Sequence, residues 1–244
     1  MARSSPIDLD LLQRGVLARL SQAACGYDSA DVLQGVEFEA RASEVVLVTG
    51  QSAAGKTTLI HVLRLALPLR NGRMSILGAD AANLGQNARA RLKRRIGYVA
   101  ENPVFVEQWS AFENIALPLR LAGRQAREYA GDVRDLVDFV GLEGASSLPA
   151  ERLSGAERRR AAIARALAAK PDLILADDPT AGMSPADGRR IVRLLAEMRR
   201  IGAGVVITSQ DESLADCAPM LRWRLAQGRL APVDALAPSG AEPH

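Results

Sequence analysis

A chain of 244 residues, 48% of them apolar, is long enough for one large domain or a domain with an inserted lobe, and it can bury a sizeable core. Its net charge of +3 comes from 31 basic and 28 acidic residues interleaved in short clusters, as on solvated helix faces, which argues against a specific nucleic-acid partner. Cys25 and Cys217 are the only cysteines. They lack a metal-ligand spacing, so the composition offers no disulfide framework and no zinc site, and fits a reducing cytoplasm.

Residues 1–13 are polar and irregular and read as a poorly ordered N-terminus. MARSSPIDLD has no apolar signal-peptide core, and no stretch approaches membrane-spanning length. A single domain is expected over 14–230, followed by a flexible tail, 231–244, rich in Pro, Ala and Gly. Within the domain VEFEA, EVVLVT, GYVA, LILA and GVVITS read as strands alternating with helices, which predicts an α/β fold with a largely parallel sheet. Between about 101 and 160 the stretches SAFENIALPLRLAG and REYAGDVRDLVDFVGL have helical spacing and no strong strand between them. A helical lobe inserted in the α/β core is the expectation. Ser110 and Glu113 are spaced as a capping box at its first helix, and Gly141 suits the end of its second.

The strongest motif is GQSAAGKTT, formed by Gly50, Gln51, Ser52, Ala53, Ala54, Gly55, Lys56, Thr57 and Thr58, after the strand EVVLVT and before the helical run TLIHVLRLAL. It is a phosphate loop, G-x-x-x-x-G-K-[ST], in a strand-loop-helix setting. Backbone N–H groups cradle phosphate oxygens, Lys56 reaches the β- and γ-phosphates, and the Thr57 hydroxyl ligates Mg²⁺. LILADDPT then ends an apolar strand in two adjacent carboxylates, which raise each other's pKa unless a cation or a reacting group sits between them. Beside a phosphate loop, Asp177 is placed to hold Mg²⁺ through water and Asp178 to orient or deprotonate the attacking water. Taken alone, the same residues would read as a strand followed by an Asp-Pro turn.

LSGAERRRAAIARAL begins with Ser154 and Glu157 at capping-box spacing, and a Ser-Gly step at a helix start also offers N–H groups to an anion. Shortly before the Asp177 strand, it resembles the signature sequence of ATP-binding-cassette (ABC) ATPases, and the resemblance covers nearly the whole chain. It implies the P-loop NTPase fold of those ATPases, a mixed or largely parallel core with an inserted helical lobe, and ATP with Mg²⁺ as ligands. Tyr27 resembles the residue that stacks on adenine, although a lone tyrosine also serves in packing. RRIGYVAENP is similar to the Q-loop region, DDPTAGMSP to the Walker B and D-loop, and VVITSQD to the switch-histidine segment. The resemblance implies a head-to-tail homodimer in which Ser154, Gly155, Ala156 and Glu157 of one copy face the phosphate loop of the other.

RLKRRIGYV and AFENIALPLRLAG look most like the cell-division ATPase of the FtsE type, with lipoprotein-release and macrolide-export ATPases as relatives. That implies a polytopic, FtsX-like membrane partner, a position on the cytoplasmic face of the inner membrane, and no solute bound directly. Several positions depart from the family pattern. Asp178 replaces the usual glutamate, Gln210 the switch histidine, Glu101 the Q-loop glutamine (Asn102 if the register is shifted by one), Ser184 the D-loop aspartate, and Ala53 and Ala156 common glycines. The expected result is a protein that binds Mg-ATP through Gly50, Gly55, Lys56, Thr57 and Asp177, with Glu101 as a further metal-ligand candidate, and hydrolyses slowly; the alternative is a scaffold that binds ATP without hydrolysing it.

Overall fold

The computed structural model describes residues 15–233. Strands β1 (Val16–Cys25), β2 (Leu33–Arg41), β4 (Asn71–Ile76) and β5 (Ala79–Asp80) form an antiparallel sheet in the order β2-β1-β4-β5. Strands β3 (Val45–Thr49), β6 (Ile96–Val99), β7 (Leu173–Asp177), β8 (Gly204–Ser209), β9 (Leu221–Ala226) and β10 (Arg229–Pro232) form the second, in the order β10-β9-β3-β8-β7-β6. This sheet is parallel apart from the β9-β10 hairpin.

The central strands are continuous apolar runs because both of their faces are covered. Val46, Val48, Leu175 and Val206 face the antiparallel sheet and helix α1 (Lys56–Leu63). Val45, Leu47, Ile174 and Ile207 point the other way, since successive side chains alternate across a strand. That second face packs against α3 (Ala111–Leu121), α4 (Ala126–Val140), α5 (Gly155–Leu167) and α6 (Pro185–Glu197). Helix α2 (Gln86–Arg94) leads into β6.

The helices between β6 and β7 start and stop on the expected residues. Ser110 caps α3 and Ser154 caps α5, each exchanging hydrogen bonds with the glutamate three residues on. α4 buries Tyr129, Val133, Val137 and Val140 along one stripe and ends at Gly141, φ 69°.

The core is mixed, as expected: beside the mostly parallel sheet, β1, β2, β4 and β5 are antiparallel, and β1 escapes a period-two reading because its register shifts between Leu20 and Ala23. Two expectations need correction. The run TLIHVLRLAL is helical only to Leu63, where Arg64 caps the helix and Leu65 turns left-handed at φ 60°. Ordered pairing also continues past residue 230, with Ala231 and Pro232 opposite Arg224 and Trp223. The expectations for residues 1–13, and for the tail from 234 onward, lie outside the described residues.

Candidate functional site

Ligands of open parallel sheets lie outside the carboxyl ends of the strands. Here β8 sits between β3 and β7, pairing Thr49 with Ser209 and Asp177 with Thr208. Three strand ends therefore deliver their following loops to one place: Gly50–Gly55 from β3, Asp177–Asp178 from β7 and Gln210 from β8.

The phosphate loop is shaped by close packing. A Cβ on Gly50 would lie 2.4 Å from the Leu225 carbonyl oxygen, so β9 passes directly against the loop. Gly55, at φ 105°, leads into α1, where a Cβ would meet Leu33 at 3.0 Å. Lys56 is buried, and its Nζ donates to the Gly50 and Gln51 carbonyls at 2.8 Å each, folding the amine back across the loop. Burial pulls its pKa down against the opposing pull of Asp178, Asp177 and Glu101. Ala53 takes a left-handed φ of 61°, a conformation glycine adopts without strain.

Asp177 is 3% exposed, and its Oδ1 accepts from the Thr57 hydroxyl at 3.2 Å and the Thr208 hydroxyl at 2.9 Å. Asp178 follows at φ 41°, its N–H donating to Thr208 O at 3.1 Å and to Thr208 Oγ1 at 3.2 Å. Its Oδ1 accepts from the Ser209 hydroxyl at 3.4 Å. Burial pushes the Asp178 pKa up, Glu101 adds to the rise, and Lys56 opposes it. Ser52, Ala53, Gly55, Lys56, Thr57, Thr58, Glu101, Asp177, Asp178, Gln210 and Val32 wall a cavity of ≈ 190 Å³. Glu101 is on that wall and Asn102 is not. A larger cavity of ≈ 970 Å³ borders the same loop through Gly50, Gln51, Ser52, Ala53 and Ala54, with Gln210, Glu212 and Arg224 opposite.

A threonine hydroxyl and a carboxylate oxygen are hard donors suited to Mg²⁺, which keeps several waters and takes further oxygens from phosphate. Among the described residues there is no group of three His, Cys, Asp or Glu that could hold a metal alone. A phosphate-assisted Mg²⁺ needs none.

Other expected residues lie elsewhere. Tyr27 is 47% exposed, hydrogen-bonded through its hydroxyl to His61 Nδ1 at 3.2 Å, and on neither cavity wall. Ser154, Gly155, Ala156 and Glu157 also miss both walls. Ser154 N and Oγ donate to Glu157 at 2.8 and 2.7 Å, and these bonds hold the Glu157 carboxyl below its ordinary range. Ser184 caps α6, accepting from Asp187 N at 3.2 Å.

Arg158 and Arg159 are tied into the protein and are not a solvated helix face. Arg158 makes a two-point ion pair with Glu107 at 2.8 and 2.7 Å and also donates to the Ala150 carbonyl. Arg159 is 8% exposed and donates to the carbonyls of Ala100, Glu101 and Ala181. Its position one helical turn before Ala162 and Ile163, both buried, was the available signal. Val32, which no motif marked, lines both cavities.

The sequence profile of the ABC transporter family matches residues 33–181. The chain belongs to the ABC transporter ATP-binding family. This ABC ATPase is 35% identical over 208 residues to the lipoprotein-releasing system ATP-binding protein LolD 1 of Caulobacter vibrioides, covering 84% of the chain and 88% of that relative. It is 31% identical over 210 residues to an uncharacterized ABC transporter ATP-binding protein of Thermotoga maritima, covering 86% and 89%. A dimeric ATP-binding cassette in a post-hydrolysis state, bound to ADP and Pi, shares its fold with a TM-score of 0.81 at 24% identity, over 89% of this chain and 99% of that one. ATP and Mg²⁺ are the ligands of the family, and the loop, the lysine and the Thr57-Asp177 oxygen pair fit them.

Proposed function

We propose that this ABC ATPase is the Mg-ATP-hydrolysing subunit of a membrane complex of the lipoprotein-release type, and that it turns over slowly. The observation that carries the reading is the 35% identity to LolD 1 across most of both chains. The cell-division reading rests on the stretches RLKRRIGYV and AFENIALPLRLAG and on the short helical lobe, and the release reading is the better supported of the two. Export of macrolides or peptides is a neighbouring reading on the same site. Among the described residues no helix is long and apolar enough to cross a membrane. A polytopic partner would therefore carry the translocation path, with the ATPase held at the cytoplasmic face. The groove of ≈ 660 Å³ beside Tyr98, Leu117, Leu121 and Arg165, between core and helical lobe, suits a partner helix, and Leu121 there is 77% exposed.

In this reading Lys56 and the loop N–H groups bind the phosphates, Thr57 and Asp177 would hold Mg²⁺, and Asp178 takes the proton of the attacking water. The metal supplies charge neutralisation on the phosphates. Gln210 donates one hydrogen bond toward the γ-phosphate and carries no charge. Closure needs a second copy, because the signature residues 154–157 lie off both cavities of their own chain. The slow step is water activation, since the departures from the family pattern cluster there while the ATP-holding residues are kept.

The test is affinity purification of the full chain from its native membrane, with phosphate release measured on wild type and Lys56→Ala. Recovery of a lipoprotein-release membrane subunit, with slow release that Lys56→Ala abolishes, is expected. A cell-division partner, or turnover as fast as an ordinary ABC ATPase, overturns the corresponding part of the proposal.

A further inference from the structure

A buried guanidinium has a high desolvation cost unless its donors are met. The hydrogen bonds of the Arg159 guanidinium go to backbone carbonyls. Nη1 donates to the Ala100 carbonyl at 3.0 Å and to the Glu101 carbonyl, and Nη2 donates to the Ala181 carbonyl at 3.3 Å. These oxygens belong to two separate loops. Ala100 and Glu101 follow β6 and carry the Glu101 carboxylate to the phosphate cavity, while Ala181 lies three residues beyond Asp178, to whose carbonyl its own N–H donates at 3.1 Å. Arg159 itself projects from the first turns of α5, whose N-cap is Ser154.

From this geometry we infer that Arg159 is a positioning residue that ties the signature helix to both loops flanking the reacting centre, holding the carboxylates of Glu101 and Asp178 at their places on the cavity wall. The inference rests on the ATPase reading above and adds a coupling path within one chain. A shift of α5 is transmitted through one planar guanidinium to the loop of Glu101 and the loop of Asp178 together. Arginine suits this task because its five donors are fixed in a plane, whereas lysine presents a single ammonium that cannot span carbonyls of two loops with the same orientation. Asp178 and Glu101 are also the two carboxylates whose charge is felt at Arg159, while burial lowers its pKa.

The experiment compares full-length wild type, Arg159→Met, Arg159→Lys and Arg158→Met for Mg-ATP affinity, kcat and thermal midpoint. Arg158→Met removes a neighbouring guanidinium tied to Glu107 and Ala150 and serves as the control for loss of an arginine from the same helix. Misplacement of a reacting group by about 1 Å costs about a hundredfold in rate. The expected result for Arg159→Met is therefore a kcat lower by about tenfold to a hundredfold with ATP affinity held within about twofold, and for Arg159→Lys a partial recovery of kcat. Arg158→Met should keep wild-type kcat. An Arg159→Met protein with unchanged kcat, or with kcat and ATP affinity falling together without recovery in Arg159→Lys, overturns the inference. If Arg159→Met does not fold, Arg159→Lys alone decides, since a wild-type kcat there refutes the need for a fork. A wild-type protein that fails to hydrolyse ATP would instead overturn the ATPase reading.

Discussion

Replacing Asp178 by glutamate is expected to speed hydrolysis and weaken the fold at the same time. The backbone of Asp178 is pinned by its N–H to Thr208 O at 3.1 Å and to Thr208 Oγ1 at 3.2 Å. The loop therefore cannot retreat to absorb an added methylene, and the carboxylate advances by about 1.5 Å into the cavity. Displacements of that size are worth about a hundredfold in rate, or about 2.7 kcal/mol of barrier. The opposing cost comes from φ 41°, since aspartate enters the left-handed region more readily than glutamate. About 1 kcal/mol of added backbone strain would lower Tm by about 2–4 °C in a chain of this size. Phosphate release at saturating Mg-ATP and a thermal melt, run on wild type, Asp178→Glu and Asp178→Asn, read the two effects separately. If Asp178→Glu melts lower but is no faster, side-chain length is not what limits turnover. An Asp178→Asn protein with wild-type turnover removes Asp178 from the chemistry altogether.

Glu101→Gln should move the acid limb of the hydrolysis profile to lower pH. Its carboxylate helps raise the Asp178 pKa, so removing that charge lets Asp178 ionise earlier, and a limb that stays in place contradicts the assignment. The same linkage has a stability sign. A carboxylate with a raised folded pKa destabilises the fold above that pKa and ceases to do so as pH falls below the ordinary value; the Glu101 charge that adds to this at Asp178 also favours the charged forms of Lys56 and Arg159, so the pH profile and not Tm is the readout for Glu101→Gln. Gly50→Ala would drive a Cβ to 2.4 Å from the Leu225 carbonyl, with an expected cost of about 1–3 kcal/mol and loss of ATP affinity, checked by melting and by nucleotide titration. Asn114 is fully buried, donating to the carbonyls of Val106, Trp109 and Ser110 and accepting from Val106 N–H. Asn114→Leu leaves the Val106 N–H unpaired, while the three carbonyls keep their backbone donors at Trp109, Ala150 and Asn114, and denaturant unfolding should show a loss of about 1–3 kcal/mol.

The phosphate loop, the Asp177-Asp178 strand end and both capping boxes were legible because each is a local pattern with a local physical cause. Glycine spacing makes the loop, an apolar run bounded by charge makes the strand, and serine with glutamate three residues on makes the cap. The antiparallel strands were less legible for different reasons. β1 breaks its own alternation near Gln22, at φ 49°. β9, LRWRLA, is mostly exposed and joins the sheet through its backbone, which no hydrophobic period reports. The burial of Arg159 is not legible, because a helix sequence shows which residues share a face and not which loops cover that face. Tyr27 was placed by resemblance, and its partner His61 is a tertiary contact between segments with no shared pattern.

The contact between Gly50 and the Leu225 carbonyl, together with the Thr49 hydroxyl donating to Trp223 O at 3.3 Å, also bears on how the protein is born. A ribosome adding about 5–20 residues per second makes Leu225 roughly 9–35 s after Gly50. Until then the nucleotide loop lacks the strand that backs it. The nascent chain thus carries its ATP-binding sequence through most of synthesis in an incomplete setting, and competence for nucleotide arrives late, with the hairpin of β9 and β10.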